Sequence, residues 1–339
     1  MLPLRRKKPK FREIRANLLH AHYDGLINDE EFVLLYDINT AKSPDLPYWS
    51  YDPFILDNMS DDECKTEFRF LRNDIYRLKD AMNFPDTFKC YNGLKFDAME
   101  GLCIFLKRFA YPCRYLDLIP RFARPVPQLC LIINLVMNHV YGHWNHLLST
   151  FNQPWLSPDN LEIFANAIFQ KSGALKNCFG FVDGTVCQFP DQVVINESYG
   201  PVEGKWHDSA MLAMSGLYNQ LLQHAVLPNG NSLCIYGDPA YPHRPHLQGP
   251  FKGARITQDQ RDWNKAMSGV RVSVEWNFGD ICNYFKFIDY KKNLKVNLSS
   301  VGKMYIVCSL LHNAICCLYR SMTSQFFGLE PPSLEDYFL

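Results

Sequence analysis

Cys178-Phe179-Gly180-Phe181-Val182-Asp183-Gly184-Thr185 and Ser232-Leu233-Cys234-Ile235-Tyr236-Gly237-Asp238 are two short apolar runs, each closed by an aspartate. Runs of this length between turn residues predict strands buried on both faces. Around them the pattern changes to helical spacing. Helices are predicted over 210–224 and 257–267, from Val270 through Phe278 as a helix or strand–helix junction, and over 300–319, with a further short strand at Val193–Ile195. Strands alternating with helices predict an α/β sheet with helices on its faces. In such a sheet the chain ends of the strands are where sites form, which places Asp183 and Asp238 on one edge. Asp-Gly and Gly-Asp-Pro are also ordinary turn sequences, and the spacing alone favours reading the two aspartates as turn formers.

Working outward, a third acid, Glu275, lies in Arg271-Val272-Ser273-Val274-Glu275-Trp276-Asn277-Phe278-Gly279 and on a helix would face the strand tips, with Val272, Trp276 and Gly279 at neighbouring spacings. Three carboxylates without a basic partner repel unless a cation joins them. Hard oxygen donors suit Mg²⁺ or Mn²⁺, and a pair of such ions can activate water and stabilise the leaving oxygen of a phosphodiester.

Upstream, Ser60-Asp61-Asp62-Glu63 has the form of a capping box and opens a helix whose apolar positions are Phe68, Leu71, Ile75 and Leu78. Further helices are predicted over 95–109, 114–122 and 126–143, with Pro112 and Pro125 as breaks. Their tight turns and basic residues Arg114, Arg121 and Arg124 suit a DNA-reading helix-turn-helix module, and equally a plain helical bundle. Residues 1–60 read as a basic, loosely ordered arm with one amphipathic helix near 28–37. The predicted organisation is therefore an arm (1–60), a helical segment (61–170), a nuclease-sized α/β domain (171–322) and a C-terminal tail (323–339).

Four blocks in order carry a family resemblance: Phe179–Thr185, Gly200-Pro201-Val202-Glu203-Gly204-Lys205-Trp206-His207-Asp208-Ser209, Tyr236-Gly237-Asp238-Pro239-Ala240-Tyr241-Pro242, and Asn264–Ser268 continuing to Val274–Gly279. Together they resemble the Harbinger (PIF/Harbinger) transposase-derived nucleases of the DDE superfamily, over roughly residues 90–320. The resemblance implies an RNase H-like mixed sheet, a divalent metal (Mg²⁺ or Mn²⁺), and hydrolysis or transfer of DNA strands in the nucleus, with a Myb-like DNA-binding partner protein. Carried over residue by residue, it implies Asp183, Asp238 and Glu275 as the catalytic, metal-holding acids, with Asp208 as an accessory ligand. The interval from Asp183 to Asp208 is shorter than the family pattern, and two strands with their turns would consume nearly all of it. One strand of the sheet is therefore expected to be missing, which favours a catalytically impaired DNA- or partner-binding protein as the alternative to an active enzyme.

Composition narrows the rest. A hydrophobic content of 47% with 14% aromatic residues predicts a substantial core, and a formal net charge of +0 gives no global attraction to nucleic acid. DNA contact must then come from local patches, either the N-terminal run Arg5-Arg6-Lys7-Lys8 or the run holding Lys286, Lys291, Lys292 and Lys295. No unbroken apolar run reaches the roughly 18 residues of a membrane span. The 12 cysteines are scattered without a Cys-x-x-Cys pair, which predicts buried free thiols. His143 and His146 share a helical face but lack a third ligand, so they read as ordinary helix residues.

Overall fold

The computed structural model describes residues 11–39, 46–183, 215–289 and 300–339, and they form two compact units dividing after Tyr51. The first unit is a helical hairpin, α1 (Phe11–Tyr23) and α2 (Asp29–Ile38). Asn28 and Glu31 form a reciprocal capping box that starts α2, and the Arg15 guanidinium lies 3.8 Å from the centre of the Tyr36 ring. Helix α2 falls where amphipathic spacing predicts one. Helix α1 was not predicted, because its apolar residues are interrupted by histidines and charge.

In the second unit the helical segment comes first: α3 (Asp61–Phe68), α4 (Arg72–Ala81), α5 (Ala98–Ala110), α6 (Ile119–Phe122), α7 (Val126–Trp144) and α8 (Pro158–Ser172). The capping box at Ser60 and Glu63 is formed as its sequence predicts, but the single helix expected across Phe68, Leu71, Ile75 and Leu78 is two, α3 and α4, parted at Arg69, whose φ of 73° is left-handed and ends the first. A small antiparallel ribbon, β1 (Thr87–Lys89) with β2 (Lys95–Asp97), precedes α5 and was not anticipated. Helix α5 is buried over most of its length. Glycine is needed at 101, since a Cβ there would come within 2.5 Å of the Phe96 ring and 3.3 Å of Val136.

The sheet follows as three parallel strands in the order β3 (Cys178–Phe181), β4 (Cys234–Tyr236), β5 (Leu247–Gln248). One face packs with α9 (Leu217–His224) through Phe179, Ile235, Leu247 and Leu221. The other packs with α10 (Gln258–Tyr284) through Cys178, Tyr236, Met267 and Val270. Helix α8 reaches both clusters, contributing Leu161 and Ala165 to the first and Ile168 to the second. Mixed helical and sheet content of this kind fits an α/β nuclease-like fold. The predicted strand at Val193–Ile195, the start of the 210–224 helix and the shortened interval itself lie outside the described residues.

Two further expectations need correction. The stretch read as two elements over 257–278 is one 27-residue helix, α10, opened by a Thr257–Gln260 capping box. Its apolar stripe, Trp263, Met267 and Val270, faces the sheet without a break, so nothing ends the helix between them. Secondly, α11 (Val301–Tyr319) is long and apolar enough to cross a membrane when its average is taken, although no unbroken apolar run is. Half of that window is buried inside the protein, with Val307, Leu310, Leu311 and Ile315 in the core. The segment beyond it also packs: α12 (Met322–Phe327) sets Phe326 edge-on to Trp276, and α13 (Leu334–Tyr337) buries Leu334 and Tyr337, followed by buried Phe338. The cysteines among the described residues are all free thiols, and burial raises the pKa of Cys103 and Cys308 well above the ordinary range.

Candidate functional site

Parallel pairing sets the height of the two aspartates. Phe181 lies opposite Tyr236, Val182 N–H donates to Tyr236 O at 3.0 Å, and Gly237 N–H donates to Gln248 O at 2.9 Å. One residue further on, Asp183 and Asp238 leave neighbouring strands at the same level. Side-chain alternation gives their face: Val182 packs on the α9 side and Phe181 and Tyr236 on the α10 side, so Asp183 follows toward α10. The chain after β4 packs tightly at position 237, where only glycine fits. A Cβ there would meet Tyr241 at 2.5 Å and Val182 at 3.0 Å. Asp238 closes this turn, its Oδ1 accepting from the Ala240 amide at 2.8 Å.

Helix α10 brings the third acid. It is held to the loop after β5 by a reciprocal pair: Phe251 N–H donates to Asn264 Oδ1 at 2.9 Å, and Asn264 Nδ2 donates to Phe251 O at 3.0 Å. The Trp263 indole donates to Ala174 O at 3.1 Å, fixing the same helix to the entry of β3. With Met267 and Val270 on the sheet, Arg271 and Glu275 fall on the adjoining stripe, one turn apart. Val272, one turn before the acid, is exposed.

Arg271 is the residue that sequence reasoning missed. Its Nη1 lies 3.4 Å from Asp183 Oδ1 and its Nη2 donates to Glu275 Oε1 at 3.2 Å, so one guanidinium spans an acid from the end of β3 and an acid of α10. Beneath it lies Tyr236, whose phenol is raised by burial and drawn back down by the Ser268 hydroxyl and the Arg271 charge. A signal existed in the sequence: Arg271 precedes Glu275 by one helical turn, in the same block that carries the family resemblance.

The donor set at this edge is chemically suited to a hard divalent cation, being carboxylates on rigid elements. Among the described residues, however, no three acidic, histidine or cysteine side chains gather closely enough to hold an ion, and Arg271 takes the charge of two of the three acids. Asp208, Lys291 and Lys292 lie outside the described residues. A cavity of about 510 Å³ lined by Tyr141, Asn145, Phe151, Leu217 and Gln220 includes none of the three acids.

The arginines proposed to read DNA have other engagements. Arg121 donates to Glu67 at 2.6 Å, where Lys107 also pairs at 3.5 Å. Arg124 grips both oxygens of Glu100 and its Nη1 donates to Gln128 Oε1 at 3.1 Å. These pairs tie α6 and the turn after it to α3 and α5. Arg114 is the most open of the three to solvent, and its backbone amide donates to Asp117 at 2.7 Å.

No curated protein and no solved structure matches the chain. Residues 185–313, which contain Asp208, Asp238 and Glu275 and begin just after Asp183, match the family model described as DDE superfamily endonuclease, and this match supports derivation of the chain from the DDE transposase superfamily.

Proposed function

We propose that this chain is a DDE-type DNA endonuclease of transposase origin, of the Harbinger kind, with Asp183, Asp238 and Glu275 as its catalytic carboxylates on an RNase H-like core. The observation that carries the reading is the level placement of Asp183 and Asp238 at the ends of adjacent parallel strands, with Glu275 on the helix that packs across them. Parallel strands at this place are what an RNase H-like core has. DNA is the substrate that a nuclease domain of this class implies, and we place its action in the nucleus, with a Myb-like protein as DNA-binding partner.

When bound, Mg²⁺ or Mn²⁺ would supply Lewis-acid activation of water and stabilisation of the leaving oxygen. The chain's own part is to orient the acids: the strand pairing holds Asp183 and Asp238 level, the turn at Gly237 aims Asp238, and the Asn264 clamp positions α10. A nicking assay on supercoiled duplex DNA with Mg²⁺ or Mn²⁺ tests the reading. Cleavage abolished by Asp183→Asn, Asp238→Asn and Glu275→Gln is expected, and cleavage indifferent to all three would refute it.

A second reading, a catalytically impaired protein that retains DNA or partner binding, is favoured by the Arg271 bridge, because two of the acids are already neutralised. DNA binding without nicking under the same conditions would select it.

A further inference from the structure

Arg271 is not an ordinary surface ion-pairing residue. Its side chain is 21% exposed, and its Nη1 is buried with no hydrogen-bond partner while standing 3.4 Å from Asp183. That nitrogen is stabilised by charge, from an acid on another element, and not by a directed hydrogen bond. Nor does the helix explain the arrangement, since arginine placed four residues before glutamate is the weaker orientation of an i,i+4 pair. What the guanidinium does is place a permanent positive charge, which cannot be lost by deprotonation, between two carboxylates that would otherwise repel.

We propose that Arg271 is the built-in counter-ion of Asp183 and Glu275, which holds these acids in the metal-free protein and must swing aside before a divalent cation can bind there. The inference rests on reading Asp183, Asp238 and Glu275 as a metal-holding set. Arg271 and the cation compete for the same oxygens, so binding of one opposes binding of the other. Metal affinity is thereby set below what the three acids alone would give, and metal-free stability above it. A long, flexible side chain at the rim of the site suits this exchange, because the backbone of α10 need not move when the guanidinium leaves.

The test is Mn²⁺ binding to the full chain, read by the electron paramagnetic resonance signal of free Mn²⁺, with melting temperature with and without Mg²⁺ as a second readout. Arg271→Gln is expected to bind Mn²⁺ about tenfold more tightly than the parent, to melt lower without metal, and to gain more from Mg²⁺. Arg271→Lys keeps a point charge without the fork that reaches both acids, so it should fall between, and it decides the matter if circular dichroism shows that Arg271→Gln does not fold. Asp183→Asn should abolish binding in every background. Mn²⁺ binding that is equal or weaker in the Arg271 variants overturns the counter-ion role and leaves the metal-holding reading standing. Mn²⁺ binding absent throughout, or surviving Asp183→Asn, overturns that reading and the counter-ion role with it.

Discussion

Replacing Arg124 by methionine separates a structural arginine from a DNA-reading one. In the folded protein its Nε and Nη2 meet the two oxygens of Glu100 at 2.5 and 2.6 Å, with the side chains only 20% and 15% exposed. The hydrogen bond that Arg124 donates to Glu100 is the first cause of its raised pKa, against the opposing effect of burial. Methionine keeps the apolar stem but leaves a partly desolvated carboxylate on α5 without its partner. Loss of one member of a fully buried pair costs about 3–5 kcal/mol, and the residual solvent access here reduces that to about 2–3 kcal/mol. For a unit of this size the loss corresponds to a melting temperature lower by about 3–5 °C. Glu100→Gln should lose a similar amount, and the double variant less than the sum, because the two changes remove one interaction. Differential scanning calorimetry of the four proteins measures this, alongside the salt dependence of duplex binding, which should keep its slope in Arg124→Met. An unchanged melting temperature, no coupling in the cycle and a flatter salt slope would refute the assignment and return Arg124 to the DNA surface.

Other outcomes follow from single features of the fold. Gly237→Ala, which drives a methyl group into Tyr241 and Val182, should destabilise by about 1–3 kcal/mol in urea titration and disturb the turn that carries Asp238. Burial, aided by the neighbouring His143 charge, lowers the His139 pKa from 6.5 to about 4. Its neutral form suits the fold, so stability should be full above pH about 6.5 and fall by about 1–2 kcal/mol as pH drops toward 4, an effect that His139→Gln should remove from the pH profile. Truncation before Leu334 strips buried Leu334, Tyr337 and Phe338 and should cost about 3 kcal/mol or more, seen as a lower denaturation midpoint. Millimolar Mg²⁺ at about ten times its dissociation constant should add about 1.4 kcal/mol to the parent and nothing to Asp183→Asn, by thermal shift.

Local chemistry made much of this fold legible in the sequence. Capping at Ser60, the proline before α7 and the apolar periodicity of α5, α7 and α11 each act over a few residues; α5, α7 and α11 stand within a few positions of where they were expected, and the Ser60 cap starts its helix although that helix ends at Phe68 and not beyond Leu78. Likewise Phe179–Val182 and Leu233–Tyr236, apolar runs too short for a helix and flanked by turn residues, read as interior strands, which put Asp183 and Asp238 at strand ends. The remainder depended on which distant groups meet. The partners of Arg121 and Arg124, Glu67 on α3 and Glu100 on α5, are set beside them only by the fold. The C-terminal segment resembles a tail until Trp144, Trp155 and Asn313 supply partners for Phe338 and Tyr337. Arg271 reads as one more charge on a helix surface, and only the packing of α10 across β3 and β4 sets it between Asp183 and Glu275. Helix caps and strand patterns are contained in neighbouring residues, whereas a charge acquires its role from whatever counter-charge the tertiary fold places within a few ångströms, and desolvation then decides how strongly the two are bound together.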